Sequence, residues 1–159
     1  MLDACGDDSW GKEPFTEQNV IEWMAMGGLY AVGHEREIVG VFATGPGGRD
    51  NLHVAYDWPE SLTTTGECIS FYIARFAVRE SMHGQGVGAH ILSWIGQKAL
   101  SQGRDGLRVC TNSMNDRLQR YFKGQGFAEL PYQEWRNTRH DFMYLQKRLR
   151  PTGPAPHMG

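Results

Sequence analysis

The spacing of apolar and polar residues along the chain predicts short β-strands separated by a few helices. Two apolar runs, Leu29–Val32 and Ile38–Phe42, flank the polar residues 34–37, a pattern typical of an antiparallel hairpin with a tight connection. A longer run from about Glu67 to Val78 predicts a single long strand. Residues 45–65 between them are predicted to form a long loop, and loops of this length in compact domains are usually functional or disordered.

Two further segments carry the helical spacing of apolar residues. Thr16 can cap a helix that extends to about Met26, where Gly27 and Gly28 end it. A second helix is predicted from about Gly86 to Gln102. Its apolar stripe consists of residues four positions apart, namely Val87, Ile91, Ile95 and Ala99.

The C-terminal elements complete an α/β pattern. A strand over Leu107–Thr111 follows the second helix, and a third helix over about 115–124 leads to closing strands near Phe127–Leu130 and Phe142–Gln146. Antiparallel strands at the start and a central β-α-β unit together predict an α/β fold with a mixed, largely antiparallel sheet flanked by helices.

Length and composition indicate one globular domain. A chain of 159 residues is long enough to bury a core and short enough for one domain. Its content of 40% hydrophobic and 21% charged residues is ordinary for a soluble protein. We predict a poorly ordered N-terminus over 1–13, a single domain over 14–149 and a disordered Pro/Gly-rich tail over 150–159.

Charge and hydropathy argue against several kinds of partner. The net charge of −2 provides no basic field for nucleic acid, and no segment is apolar enough to span a membrane or basic enough to bind its surface. Because acids stand at the N-terminus where a signal peptide carries Lys or Arg, we expect a cytoplasmic protein. The 3 cysteines are too few for a disulfide framework, and the 6 histidines show no metal-ligand spacing, so we expect no metal site.

The glycine-rich turn at 83–88, His-Gly-Gln-Gly-Val-Gly, is the strongest chemical signal in the chain. Glycines allow the backbone to approach a ligand closely, and the N–H groups at the start of the following helix suit a pyrophosphate. A dinucleotide is one candidate, since 84–89 satisfies G-x-G-x-x-[GA]; however, the next strand ends Cys110-Thr111-Asn112 without the acid that holds the ribose. A turn without any ligand is the remaining alternative, because short glycine motifs have many false positives.

Coenzyme A is the second candidate ligand, and a family resemblance supports it. The turn is similar to the signature [R/Q]-x-x-G-x-[G/A] of the GNAT superfamily of acyl-CoA-dependent N-acetyltransferases. Further along the chain that family has an asparagine, an aromatic residue and Gly-Phe, and this chain has Asn115, Tyr121-Phe122 and Gly126-Phe127. The resemblance covers roughly residues 28–148. It implies a GNAT-like fold and direct attack of an amine on acetyl-CoA.

The resemblance also implies where the cofactor lies. The strand end Phe76-Ala77-Val78 would pair with the pantetheine arm, and a backbone N–H near Val78 would polarise the thioester carbonyl. The two middle strands would splay apart to admit the thioester. The cofactor-binding residues implied are Phe76, Ala77, Val78, His83, Gly84, Gln85, Gly86, Val87, Gly88, Ala89, Asn115, Phe122 and Lys123.

The catalytic groups are less well indicated than the cofactor contacts. Phe122 stands where the family often has a tyrosine that protonates the leaving thiolate, and phenylalanine cannot donate a proton. Tyr121 is an adjacent candidate, although neighbours on a helix face different directions and a core aromatic is the ordinary alternative. For the general base, Tyr72 occupies the position matching a strand glutamate of some members, and Glu67 is a second candidate. His83 replaces the usual Arg or Gln.

The resulting prediction is an N-acetyltransferase with acetyl-CoA as co-substrate and a small-molecule amine, or else a peptide amine, as acceptor. Two alternatives are a non-catalytic acyl-CoA-binding domain of the same fold, motivated by Phe122 and His83, and a dinucleotide-binding oxidoreductase. The family usually has a strand and two helices before the hairpin, whereas residues 1–28 fit about one helix. The first strand is therefore expected to be missing, very short or supplied by another chain, and in the last case the protein would be a homodimer.

Overall fold

A computed structural model of the chain describes residues 28–46, 70–130 and 142–149, together with helical positions 18, 21 and 25. The described strands are β1 (Leu29–His34), β2 (Glu37–Pro46), β3 (Ser70–Val78), β4 (Gly106–Asn112), β5 (Ala128–Glu129) and β6 (Phe142–Arg148). Helix α1 (Val87–Ser101) connects β3 to β4, and helix α2 (Asp116–Gly124) follows β4.

The described strands form one sheet in the order β1-β2-β3-β4-β6-β5. Strands β3 and β4 are parallel, as a crossover through α1 requires, whereas the other pairs are antiparallel. The predicted α/β fold, with a mixed and largely antiparallel sheet and a central β-α-β unit, is therefore confirmed.

The predicted hairpin is formed by β1 and β2, and its connection is as short as a hairpin allows. His34 pairs with Glu37, so the turn consists of Glu35 and Arg36. Both turn residues have positive φ, 49° and 67°, as a turn matching the right-handed twist of the strands demands. Neither residue is the glycine or asparagine that usually marks such a turn in a sequence.

Alternating residues of the central strands face two separate cores. On one face, Phe71 and Ile73 of β3 pack with Ile91 and Ile95 of α1 and with Phe122 of α2. The opposite face carries a smaller buried group, which consists of Ala43, Tyr72, Leu130 and Tyr144. Both described helices therefore lie on the same face of the sheet, and the neighbouring strand residues point to the other face.

Strands β3 and β4 diverge after a short stretch of pairing. Their register runs from Ser70 opposite Gly106 to Ile73 opposite Val109, and beyond this point both strands continue without pairing to each other. On its other edge β3 contains a bulge, because Ala43 pairs with Ala74 while Val41 pairs with Ala77. The bulge bends β3 at the point where it leaves β4.

The observed elements correct one boundary and leave others outside the described residues. Gly45 and Pro46, predicted to belong to the loop, are part of β2 and pair with β3. The predicted N-terminus at 1–13, the start of the long strand at Glu67 and the tail at 150–159 lie outside the described residues. No helix in the described part of the chain is both long and apolar enough to cross a membrane.

Candidate active site

The divergence of β3 and β4 opens a cleft of about 490 Å³. Its walls are residues 73–78 of β3, Val109 and Cys110 of β4, the turn after β3, the start of α1 and one face of α2. One end of the cleft is the fork at Ile73 and Val109, and the other is the glycine turn. A long, narrow ligand that is charged at one end and apolar along its length would match this shape.

The glycine turn presents backbone donors to the cleft. Gly84 and Gly86 have φ of 79° and 82°, which is the left-handed region that glycine adopts at little cost. Gly86 caps α1, and the first helical hydrogen bond runs from the His90 N–H to the Gly86 carbonyl over 3.0 Å. The N–H groups of residues 87–89 therefore precede the intrahelical ladder and are available to an anion.

His83 is attached to the end of β3 rather than projecting freely. Its Nε2 lies 2.8 Å from the carbonyl oxygen of Val78. Because a carbonyl can only accept a hydrogen bond, Nε2 carries the proton and donates it. The ring thus links the glycine turn to the strand end, and its Nδ1 is the remaining polar atom of the ring.

The end of β3 also presents a backbone donor to the cleft. The Arg79 N–H donates to the Val39 carbonyl of β2 over 2.8 Å. Peptide groups alternate in direction along a strand, so the N–H of Val78 points away from β2 and toward the cleft. Phe76, Ala77 and Val78 all line the cleft, as the family resemblance implies for the pantetheine arm.

Asn115 fixes the start of α2 beside the cleft. It is the N-cap residue of α2, and its Oδ1 accepts a hydrogen bond from the Leu118 N–H at 3.0 Å. Gln119 then ties the helix to the end of β4, because its Nε2 donates to the carbonyls of Asn112 and Ser113, each at 3.0 Å. Asn115 also lines the cleft, next to the helix that it caps.

We expect Asn115→Ala to lower the free energy of unfolding by about 1 kcal/mol, because the variant loses the cap of α2. Urea denaturation of both proteins measures the difference. Asn115→Asp is the matched control, since aspartate caps equally well and its charge suits a helix N-terminus. An equal loss in the two variants, or none in the alanine variant, would contradict this role.

The two aromatic residues of α2 face different surroundings. Phe122 is fully buried and packs against Phe76, Phe127 and Tyr121, with ring centroids 5.3 to 5.5 Å apart. Tyr121 is half-buried and lines the cleft, and burial raises the pKa of its hydroxyl above 10.0. Phe122 is therefore the core aromatic of this pair. Tyr121, for which a core position was the ordinary alternative, lines the cleft instead.

Tyr72, the candidate base that lies on β3, does not line the cleft. Tyr72 is fully buried on the sheet face opposite the helices, where its hydroxyl accepts a hydrogen bond from Arg108 Nη1 at 2.9 Å. Arg108 is held in turn by Gln146, whose Oε1 accepts from Nε at 2.8 Å. Glu67 lies outside the described residues.

Most of the predicted cofactor residues line the cleft, but two do not. Gln85 folds back to the Ser81 carbonyl, and Lys123 is exposed on α2 away from the cleft. Sequence reasoning missed Arg117 and Arg75, which both line it. Arg117 is four residues before Tyr121 and so shares its helix face, a signal that the sequence did contain. Arg75 sits in the bulge of β3 with φ of 52°. Because this residue is not a glycine, nothing in the sequence indicates that conformation.

A family model supports the resemblance over most of the chain. Residues 1–127 match the model described as the acetyltransferase (GNAT) family. The matched region contains the glycine turn, the N-cap Asn115 and the Gly126-Phe127 pair. No curated protein matches the sequence.

Solved structures share the fold at low sequence identity. One is a GNAT family acetyltransferase from Elizabethkingia anophelis with acetyl-CoA bound, with 18% identity and a TM-score of 0.58 over 84% of each chain. The GNAT domain of S. lividans PAT has 14% identity and a TM-score of 0.67, over 94% of this chain and 78% of that one.

A third similar structure is a much longer protein. N-acetylglutamate synthase from Neisseria gonorrhoeae, complexed with coenzyme A and N-acetyl-glutamate, has 17% identity and a TM-score of 0.60. The match covers 87% of this chain and 29% of that one, so the present chain spans less than a third of it. On the strength of the family model, together with the cleft between β3 and β4, the chain belongs to the acetyltransferase (GNAT) family.

Proposed function

We propose that the protein transfers an acetyl group from acetyl-CoA to the amine of a small molecule. The observation that carries the proposal is the cleft, which joins a glycine turn at the start of α1 to a fork between two parallel strands. Neighbouring folds with coenzyme A or acetyl-CoA bound support this choice of cofactor.

The cleft suggests how the cofactor would lie. Its pyrophosphate would accept hydrogen bonds from the N–H groups of the glycine turn and of residues 87–89, at the positive end of α1. The pantetheine arm would follow β3 from Val78 toward the fork, pairing with the strand's cleft-facing backbone as an added strand does. The thioester would then lie between β3 and β4, close to where they part at Ile73 and Val109.

The reaction proposed is a direct attack. The nitrogen lone pair of a neutral amine adds to the thioester carbonyl, the C–S bond breaks, and the amide nitrogen loses a proton. A cleft-facing backbone N–H of β3 close to the fork would stabilise the oxyanion that forms on the carbonyl, because Val78 lies roughly 16 Å along the strand from Ile73. Coenzyme A leaves as a thiolate, which takes a proton from water because Phe122 has none to give.

Tyr72 is not the proton acceptor in this scheme. A general base must reach the amine directly or through one water. The Tyr72 hydroxyl is fully buried and is occupied by Arg108. Water is the acceptor that we propose, and Glu67 stays a candidate outside the described residues.

Thiol release in the presence of acetyl-CoA and a panel of amines tests the proposal. The panel contains amino acids, polyamines, aminoglycosides and a peptide with a free N-terminus, so that it also separates small-molecule from peptide acceptors. We expect at least one small amine to accelerate thiol release above the background hydrolysis. A peptide that reacts better than every small amine would overturn the acceptor class while leaving the reaction intact.

Phe122 favours a second candidate, a non-catalytic acyl-CoA-binding domain, because it stands where a proton donor was expected. Titration calorimetry with acetyl-CoA and with NAD(P) complements the kinetic assay. Binding of acetyl-CoA without thiol release toward any amine would favour this second candidate. Binding of NAD(P) in its place would support the dinucleotide alternative and overturn both.

A further inference from the structure

The hydroxyl of Tyr121 lies against the first turn of α1. A Cβ atom built on Gly88 would overlap the Tyr121 hydroxyl and touch the Phe76 ring. The Tyr121 ring also faces Phe76 across 6.2 Å between centroids. Tyr121 therefore bridges α2, the end of β3 and the start of α1, and the absence of a side chain at Gly88 makes room for its hydroxyl.

This location is at the phosphate end of the cleft. Gly88 is the last residue of the glycine turn and one of the residues whose N–H precedes the α1 ladder. The fork lies at Ile73, three residues before Phe76, a separation of roughly 10 Å along a strand. A hydroxyl beside Gly88 and Phe76 is thus placed near the pyrophosphate rather than near the thioester sulfur.

We infer that Tyr121 is a cofactor-binding residue whose hydroxyl donates a hydrogen bond to the pyrophosphate of acetyl-CoA. The inference rests on the proposed function and changes the role that the sequence suggested, which was protonation of the leaving thiolate. The His83 Nε2 proton already bonds to the Val78 carbonyl and does not point to the phosphate. The Tyr121 hydroxyl would therefore supply a side-chain donor at this end of the cleft.

The protonation state of Tyr121 agrees with this role. Burial raises the pKa of the hydroxyl, so the group stays protonated throughout the neutral range and can donate. A neutral phenol can donate a hydrogen bond to an anionic phosphate oxygen. Such a bond is stronger than one between two neutral groups.

Tyr121→Phe tests the inference because it removes the hydroxyl and keeps the ring packing. Titration calorimetry with acetyl-CoA should show binding weakened about tenfold, the loss typical of a hydrogen bond to a charged group. Acetyl-pantetheine lacks the pyrophosphate, so its affinity should be equal for the variant and the wild type. Tyr30→Phe is the matched control, since Tyr30 stacks on Phe42 and meets Trp94 edge-on, outside the cleft.

Kinetics distinguish a binding role from proton donation. We expect KM for acetyl-CoA to rise about tenfold in Tyr121→Phe, with kcat and its pH profile unchanged. A fall in kcat with loss of the alkaline limb of the profile would identify Tyr121 as the proton donor and overturn the inference. An equal loss of affinity for acetyl-pantetheine, or no loss for acetyl-CoA, would also overturn it. If the wild-type protein binds no acetyl-CoA, the proposed function fails, and the inference about Tyr121 fails with it.

Discussion

Replacing Gly86 by glutamate is expected to abolish acetyl-CoA binding while leaving a folded protein. Gly86 caps α1 with φ of 82°, and no atom lies within 4 Å of a Cβ built on it, so the new side chain meets no neighbour. Its carboxylate would occupy the N-terminus of α1, the place proposed for the pyrophosphate, and would repel it. Like charges at one site cost several kcal/mol, which corresponds to at least about a hundredfold loss of affinity. Titration calorimetry with acetyl-CoA measures the affinity of the variant and of the wild type.

Gly103→Glu is a closely matched control for this variant. Gly103 follows the other end of α1, has φ of 75°, and likewise has no atom within 4 Å of a built Cβ. Both substitutions therefore impose the same backbone strain, about 1–2 kcal/mol, and add the same charge. We expect similar decreases in melting temperature but unchanged acetyl-CoA affinity for Gly103→Glu. Full affinity in Gly86→Glu, or equal losses in both variants, would contradict the assignment of the turn.

The order of strands and helices follows from local patterns that a sequence displays. The four-residue apolar spacing in α1 predicted a helix over 86–102, and the structure places it at Val87–Ser101 between Gly86 and Gln102 as caps. Glycines and Asn115 located the ends of both described helices, because each satisfies a local backbone requirement. These features depend on neighbours in the chain, so one sequence is enough to predict them.

The shape of the cleft depends on contacts between distant residues, and these leave no local pattern. That β3 and β4 stop pairing at Ile73 and Val109 is a matter of register between two strands separated by a helix. The bulge at Arg75 has positive φ without a glycine. The splay itself was expected, but only because the family resemblance implied it.

The surroundings of Tyr121 and Phe122 could not be assigned from the sequence for a related reason. Successive residues on an α-helix point about 100° apart, so one of two adjacent aromatics had to be nearer the core. Which one depends on how α2 is rotated against the sheet. The structure shows that Phe122 joins the core with Phe127, and that Tyr121 reaches Gly88.

Replacing Phe122 by alanine is expected to lower the free energy of unfolding by about 3–5 kcal/mol, the largest stability loss predicted for the cleft residues. The Phe122 side chain has 0% exposure and touches three other aromatic rings, so its removal leaves a cavity that rigid neighbours cannot fill. A loss of this size is a large part of the 5–15 kcal/mol that holds a typical domain folded. Urea denaturation followed by circular dichroism measures it.

Two comparison variants show whether Phe122 acts through packing alone. Met114→Ala, at a side chain that is 86% exposed, should change stability by less than about 0.5 kcal/mol. Phe122→Leu keeps most of the apolar volume, and because neither residue can donate a proton, it should retain the wild-type kcat under conditions where it is folded. A stability loss below about 1 kcal/mol in Phe122→Ala would contradict the packing role. A folded Phe122→Leu protein with lost kcat would show instead that the aromatic ring itself contributes to the reaction.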